Sequence, residues 1–147
     1  MTAVEPPLGL DHSGVTCADL DTSLGFYHEL LGIPIRDRGE NQVAAAGHVG
    51  AHYFWADLEL PDGRVIELIE VAEKGLEPLT PGTKHPGSAH TGLRVRDIHA
   101  TLARLAAAGV EPLAPPATLT EPGAWHGCTI VYVRDPDGHA VELVQYP

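Results

Sequence analysis

Apolar residues along this chain fall into two kinds of run, and the kinds recur in the same order twice. Residues 9–17 alternate, with Val15 and Cys17 on one parity and His12, Gly14 and Thr16 on the other, the period of a half-buried strand. Leu20, Leu24, Tyr27, Leu30 and Leu31 then recur at helical spacing. They predict a helix over about 21–31, capped by Asp19 or Asp21 and closed by Gly32 and Pro34. After a polar stretch, 52–60 is rich in β-favouring residues and reads as a strand, and Pro61-Asp62-Gly63 turns it into another over 64–71. Residues 41–50, rich in Ala and Gly, leave open whether a further strand lies there. The order then repeats: strand 89–96, helix 97–108 on Ile98, Leu102 and Leu105, strand 128–134, a Pro136-Asp137-Gly138 turn and strand 139–146. Residues 72–88 are Pro- and Gly-rich and read as a linker, while 112–127 is the longest irregular segment.

The repetition extends to letters. D-H-S-G-V-T-C-A-D at 11–19 is answered by A-H-T-G-L-R-V-R-D at 89–97, and L-P-D-G-R-V-I-E-L at 60–68 by D-P-D-G-H-A-V-E-L at 135–143. Each copy therefore opens with a histidine (His12, His90) and closes with a glutamate (Glu67, Glu142). By parity each histidine shares its face with a glycine, Gly14 or Gly92, which leaves room beside it. Each glutamate interrupts an apolar row, Val65 and Ile69 around Glu67, Ala140 and Val144 around Glu142. A carboxylate there is costly to bury unless a cation or a hydrogen-bond network compensates it. Taken singly, a strand histidine is usually half-buried and hydrogen-bonded, and a strand glutamate usually sits on a solvated sheet face or pairs with an arginine. Their recurrence at duplicated positions is what points to one metal shared by the two halves.

Composition bounds the rest. The chain has 147 residues and a formal net charge of -11. That length supports one compact domain, 1–147, built of two half-size modules over about 8–72 and 88–146. The acidic balance argues against nucleic acid or an anionic membrane as partner. No stretch reads as a signal peptide or a membrane span. Two cysteines, Cys17 and Cys128, are expected as free buried thiols in a cytoplasmic protein.

The runs D-H-x-G-V-T-x-x-D-L-D-x-S-L-x-F-Y-x-x-L-L-G at 11–32 and V-x-D-P-D-G-x-x-V-E-L at 133–143 resemble the vicinal oxygen chelate superfamily. That group includes glyoxalase I, methylmalonyl-CoA epimerase, extradiol dioxygenases, fosfomycin-resistance enzymes and bleomycin-sequestering proteins. The resemblance implies an α+β fold of two tandem βαβββ modules, a curled mixed sheet around one cleft. It implies His12, Glu67, His90 and Glu142 as metal ligands, and a homodimer in which the cleft in some relatives forms between chains.

Two imidazoles and two carboxylates suit one divalent ion, Zn, Ni, Co, Mn or Fe. Such an ion polarises the carbonyl of a small chelating substrate. By resemblance to glyoxalase, Glu142 is the base and Glu67 its partner, giving lyase or isomerase chemistry next to a carbonyl. An Fe(II) extradiol-type dioxygenase on His12, His90 and Glu142 is the second reading, for which Glu67 is one ligand too many. His48, His52 and His126 are its candidate acid/base groups. A metal-free antibiotic-sequestering protein, with Trp55, Trp125, Tyr53 and Phe54 around the drug, is the third. For substrate contact the candidates are Arg94, which shares the His90 face, with Trp125 and Trp55. Arg36, Arg38 and Arg96 are weaker alternatives for a carboxylate-bearing substrate.

Overall fold

The computed structural model describes residues 5–41, 52–79 and 82–147. Module one runs β1 (His12–Cys17), α1 (Leu20–Leu24) with a π-helical continuation (Gly25–Leu30), then β2 (Ile35–Asn41), β3 (Tyr53–Glu59) and β4 (Val65–Val71). Module two runs β5 (His90–Arg94), α2 (Ile98–Ala107), β6 (Ala117–Thr118), β7 (Thr129–Arg134) and β8 (Ala140–Gln145). Each forms a four-stranded mixed sheet, ordered β1-β4-β3-β2 and β5-β8-β7-β6. The opening strand lies parallel to the closing one, and the closing strand is antiparallel to the strand before it. This is the βαβββ arrangement twice, as expected.

Four details differ from the sequence reading. The strands expected at 9–17 and 89–96 are shorter, at His12–Cys17 and His90–Arg94, although the Val95 N–H still donates to the Val144 carbonyl at 2.9 Å. The first helix opens into a π-turn, with the Leu31 N–H donating to the Phe26 carbonyl at 3.0 Å. That wider turn keeps Phe26 and Tyr27 buried side by side. The polar stretch after it contains β2, whose residues are nearly all exposed. An edge strand with no buried face shows no alternation, so pattern did not reveal it. The irregular segment 112–127 holds the two-residue β6. The further strand left open at 41–50 falls, beyond Asn41, outside the described residues.

Matching caps start both helices. Asp19 and Asp97 accept from the backbone N–H of Thr22 and Ala100. The first helical N–H groups, Leu20 and Ile98, donate instead to Glu70 Oε2 (2.8 Å) and Gln145 Oε1 (2.7 Å) at the ends of the closing strands. The two modules share one core, in which Val15, Tyr27 and Leu58 join Leu93, Leu105, Val133 and Leu143. Among the described residues, three hydrogen bonds tie the modules together: Tyr27 hydroxyl to Asp135, Ala18 N–H to Asp137 (3.0 Å), and Arg104 Nε to the Leu30 carbonyl. Both cysteines are free and buried, and burial pushes the Cys17 thiol up to about 11. No helix among the described residues is long and apolar enough to cross a membrane.

Candidate functional site

Both opening strands sit at the edge of their sheets, and both closing strands are interior. Along β1 exposure alternates, with Val15 and Cys17 buried and His12, Gly14 and Thr16 outward. Along β5, Thr91 and Leu93 are buried while His90, Gly92 and Arg94 are outward. The parallel register sets Gly14 beside Glu67 and Gly92 beside Glu142.

Two equivalent pairs result. His12 Nε2 lies 3.4 Å from Glu67 Oε2, and His90 Nε2 lies 3.2 Å from Glu142 Oε2. A Cβ on Gly14 or Gly92 would stand 3.9 or 3.7 Å from those same carboxylate oxygens, so the glycines leave each carboxylate open on its strand side. The histidines are half-exposed, whereas Glu67 is 28% and Glu142 only 12% exposed, so module two holds its acid deeper. The His12 Nδ1 is 2.7 Å from Asp11, and that hydrogen bond raises the imidazole above its ordinary value. With Nδ1–H directed at Asp11, Nε2 is the nitrogen presented toward Glu67.

The four side chains are gathered as two pairs and not as one group. Among the described residues no cluster of three or more His, Cys, Asp or Glu side chains is suitably placed for a metal within one chain.

The residues opposite the two glutamates differ. Asp57 pairs with Glu67 across β3–β4 and receives Arg36 at 2.7 Å. Tyr132 pairs with Glu142 across β7–β8. Burial and the nearby Glu142 carboxylate raise the Tyr132 phenol. Its ring also meets His90 edge-on at 5.4 Å. Neither residue was singled out from sequence, although a signal was there. Equal steps outward from Asp62 reach Asp57 and Glu67, and from Asp137 they reach Tyr132 and Glu142.

Of the substrate candidates, Trp55 shares the Glu67 face by register and covers Gly39, whose Cβ position is 3.1 Å from the indole. Arg94 lies over the Tyr146 ring at 4.0 Å, and Trp125 is half-exposed beside the same ring. Arg36 and Arg38 are engaged by Asp57 and Asp21, and Arg96 is exposed. Tyr53 is on the Glu67 face, but Phe54 packs against the core on the other side. Among the added histidines, His52 pairs with Glu40 and His126 with the Thr120 carbonyl, while His48 is outside the described residues.

Known proteins share this architecture. Residues 9–143 match the family model described as the Glyoxalase/Bleomycin resistance protein/Dioxygenase superfamily. A probable lactoylglutathione lyase of Vibrio cholerae is 32% identical over 139 residues, covering 91% of this chain and 88% of that protein. A lactoylglutathione lyase of Haemophilus influenzae is 28% identical over 137 residues, covering 91% and 90%. A glyoxalase family protein of Bacillus cereus superposes with a TM-score of 0.81 over 99% of this chain and 98% of its own, at 21% identity, a likeness of fold. The chain belongs to the glyoxalase/bleomycin resistance protein/dioxygenase superfamily.

Proposed function

We propose that the protein is a metal-dependent lyase or isomerase that abstracts a proton next to a carbonyl of a small chelating substrate. The carrying observation is the pair of half-sites, each a histidine Nε2 within 3.4 Å of a glutamate oxygen on a face cleared by glycine. Two imidazoles and two carboxylates neutralise and coordinate a divalent ion, so the donor set fits one of Zn, Ni, Co, Mn or Fe.

Each half-site supplies two ligands, and a single chain keeps the halves apart. A homodimer resolves this by joining His12 and Glu67 of one copy to His90 and Glu142 of the second, twice over by symmetry. Two features favour such a contact. The histidine strands β1 and β5 are sheet edges, with backbone groups open to a neighbour. Exposed leucines flank β1: Leu8 and Leu10 precede it, and Leu76 and Leu79 line a cavity along it.

When bound, the ion supplies electrophilic polarisation of the substrate carbonyl. Glu142 takes the proton from the carbon beside that carbonyl and returns it to the neighbouring carbon. Tyr132, opposite Glu142 across β7–β8, is placed to orient it, and Glu67 acts as the partner acid. Arg94, Trp125 and Trp55 contact the substrate beyond the reacting atoms. The relatives named lactoylglutathione lyase make lactoylglutathione the first substrate to try, since it carries a hydroxyl and a thioester carbonyl on adjacent carbons.

The test is the metal content and lactoylglutathione turnover of untagged protein beside His12→Ala, His90→Ala and Glu142→Ala. Bound metal and turnover in the parent, lost in all three folded variants, support the reading. Parental metal content and rate in the variants would overturn it.

A further inference from the structure

Beyond Glu142 on the same face lies a second feature that the pair chemistry does not use. Residues 142, 144 and 146 share parity, and Arg94 pairs with Val144 across β5–β8. Tyr146 and Arg94 therefore continue the His90–Glu142 face, with Arg94 roughly 7 Å along the strand from Gly92, two residues on.

There the Arg94 guanidinium carbon lies over the Tyr146 ring, 4.0 Å from its centroid. Trp125 stands beside Tyr146 at 6.2 Å and tilted by 36°, with half of its surface exposed. The loop that carries Trp125 is held by its own backbone. Leu119 N–H donates to the Cys128 carbonyl and Gly127 N–H to the Leu119 carbonyl, both at 2.8 Å, and Cys128 N–H donates to the Trp125 carbonyl at 3.0 Å. Gly127 packs on Pro147, whose ring atoms would lie 3.1 Å from a Cβ there. Ordering an indole in order to leave it half in water gains little for folding.

The cation beside it is equally unspent. In a chain of net charge -11, Arg94 forms no salt bridge among the described residues. With its carbon seated over the ring and no salt bridge among the described residues, the guanidinium keeps N–H donors for a planar anion, while the half-exposed indole accepts a flat ring. We infer that Arg94, Tyr146 and Trp125 form a recognition shelf for a planar aromatic carboxylate. As the far end of the substrate of the proposed reaction, the shelf rests on that reading. As a binding site for an aromatic acid it is tested without it.

Calorimetric titration of the full-length protein with indole-3-acetate and with the neutral indole-3-acetamide is the experiment. The acid is expected to bind about tenfold more tightly than the amide, the equivalent of one charge-assisted hydrogen bond. Arg94→Met, which keeps the apolar stem over Tyr146, removes that preference and leaves amide binding unchanged. Trp125→Ala weakens both probes. His90→Ala, the variant that strikes the metal reading, leaves acid binding intact, so the two ideas fail separately. Equal affinity for acid and amide, or full acid binding in Arg94→Met, would overturn the shelf. It is overturned too if neither probe binds and the Arg94 and Trp125 variants instead shift the monomer–dimer balance.

Discussion

The Tyr27 hydroxyl donates to Asp135 Oδ2 at 2.9 Å, joining the helix of module one to the β7–β8 turn of module two inside the shared core. Burial and the adjacent carboxylate raise the phenol, so it stays a neutral donor throughout the ordinary pH range. Asp135 also accepts from the backbone N–H groups of Asp137 and His139, and among the described residues only Tyr27 brings it a hydrogen-bond partner from the other module. Tyr27→Phe is expected to destabilise the fold by about 1–3 kcal/mol, the cost of a buried acceptor losing one donor. Denaturant titration checks this, and an unchanged midpoint would show that the bond is not needed to hold the modules together.

Tyr132 separates the two half-sites chemically, since the corresponding position in module one is Asp57. Tyr132→Phe keeps the ring against His90 and removes the hydroxyl that lies in the electrostatic surroundings of Glu142. The expected result is retained metal and a fall in kcat of about tenfold, with KM little changed, as for loss of one hydrogen bond that orients a reacting group. A raised KM at constant kcat would mean that the hydroxyl serves binding and not the orientation of Glu142.

What the sequence made legible follows from burial. The interior strands β4 and β8 are buried on both faces, so Glu67 and Glu142 stood out within apolar rows, and the face of each histidine could be counted from Val15 or Leu93. Strand β2 carries its stability in backbone pairing and in links such as Arg36–Asp57, which leave no hydrophobic period. The π-turn was invisible because Phe26, outside the α-helical stripe, is buried only by the wider turn. How far apart the two His–Glu pairs lie depends on module packing, and Tyr27–Asp135 is a contact across 108 residues that no local pattern announces.

Glu70 gives the fold a pH dependence of known sign. Its hydrogen bonds, first from Lys74 and then from the Leu20 N–H, hold its carboxyl below the usual glutamate value. A depressed folded pKa contributes stability that is fully present above the unfolded pKa and is lost as pH falls through the folded one. Lys74 is 72% exposed, so the helix-cap bond is the larger part of the effect on stability. In module two the neutral Gln145 performs the same cap. Glu70→Gln should therefore keep the cap at neutral pH and lose less stability between neutral and acid conditions than the parent. Glu70→Ala should lose about 1 kcal/mol at neutral pH. Thermal melts at the two pH values distinguish these outcomes, and identical acid sensitivity in parent and Glu70→Gln would refute the linkage.

A metal shared between copies, as proposed, has a consequence that single substitutions cannot mimic. One double variant, His12→Ala with Glu67→Ala, spoils the module-one half-site in both copies of its homodimer, and His90→Ala with Glu142→Ala spoils the other half-site. Neither homodimer then has a complete set of four ligands. After the two proteins are mixed and allowed to re-associate, about half of the dimers are mixed, and each carries one complete site of its two. Activity and bound metal should return to about one quarter of the parent value, from two preparations that are each inactive. A site closed within one chain predicts no recovery, because every chain in the mixture lacks one histidine and one glutamate. Labelling one preparation with 15N lets native mass spectrometry count the mixed dimers, so a lack of recovery with exchange complete would place the catalytic centre elsewhere.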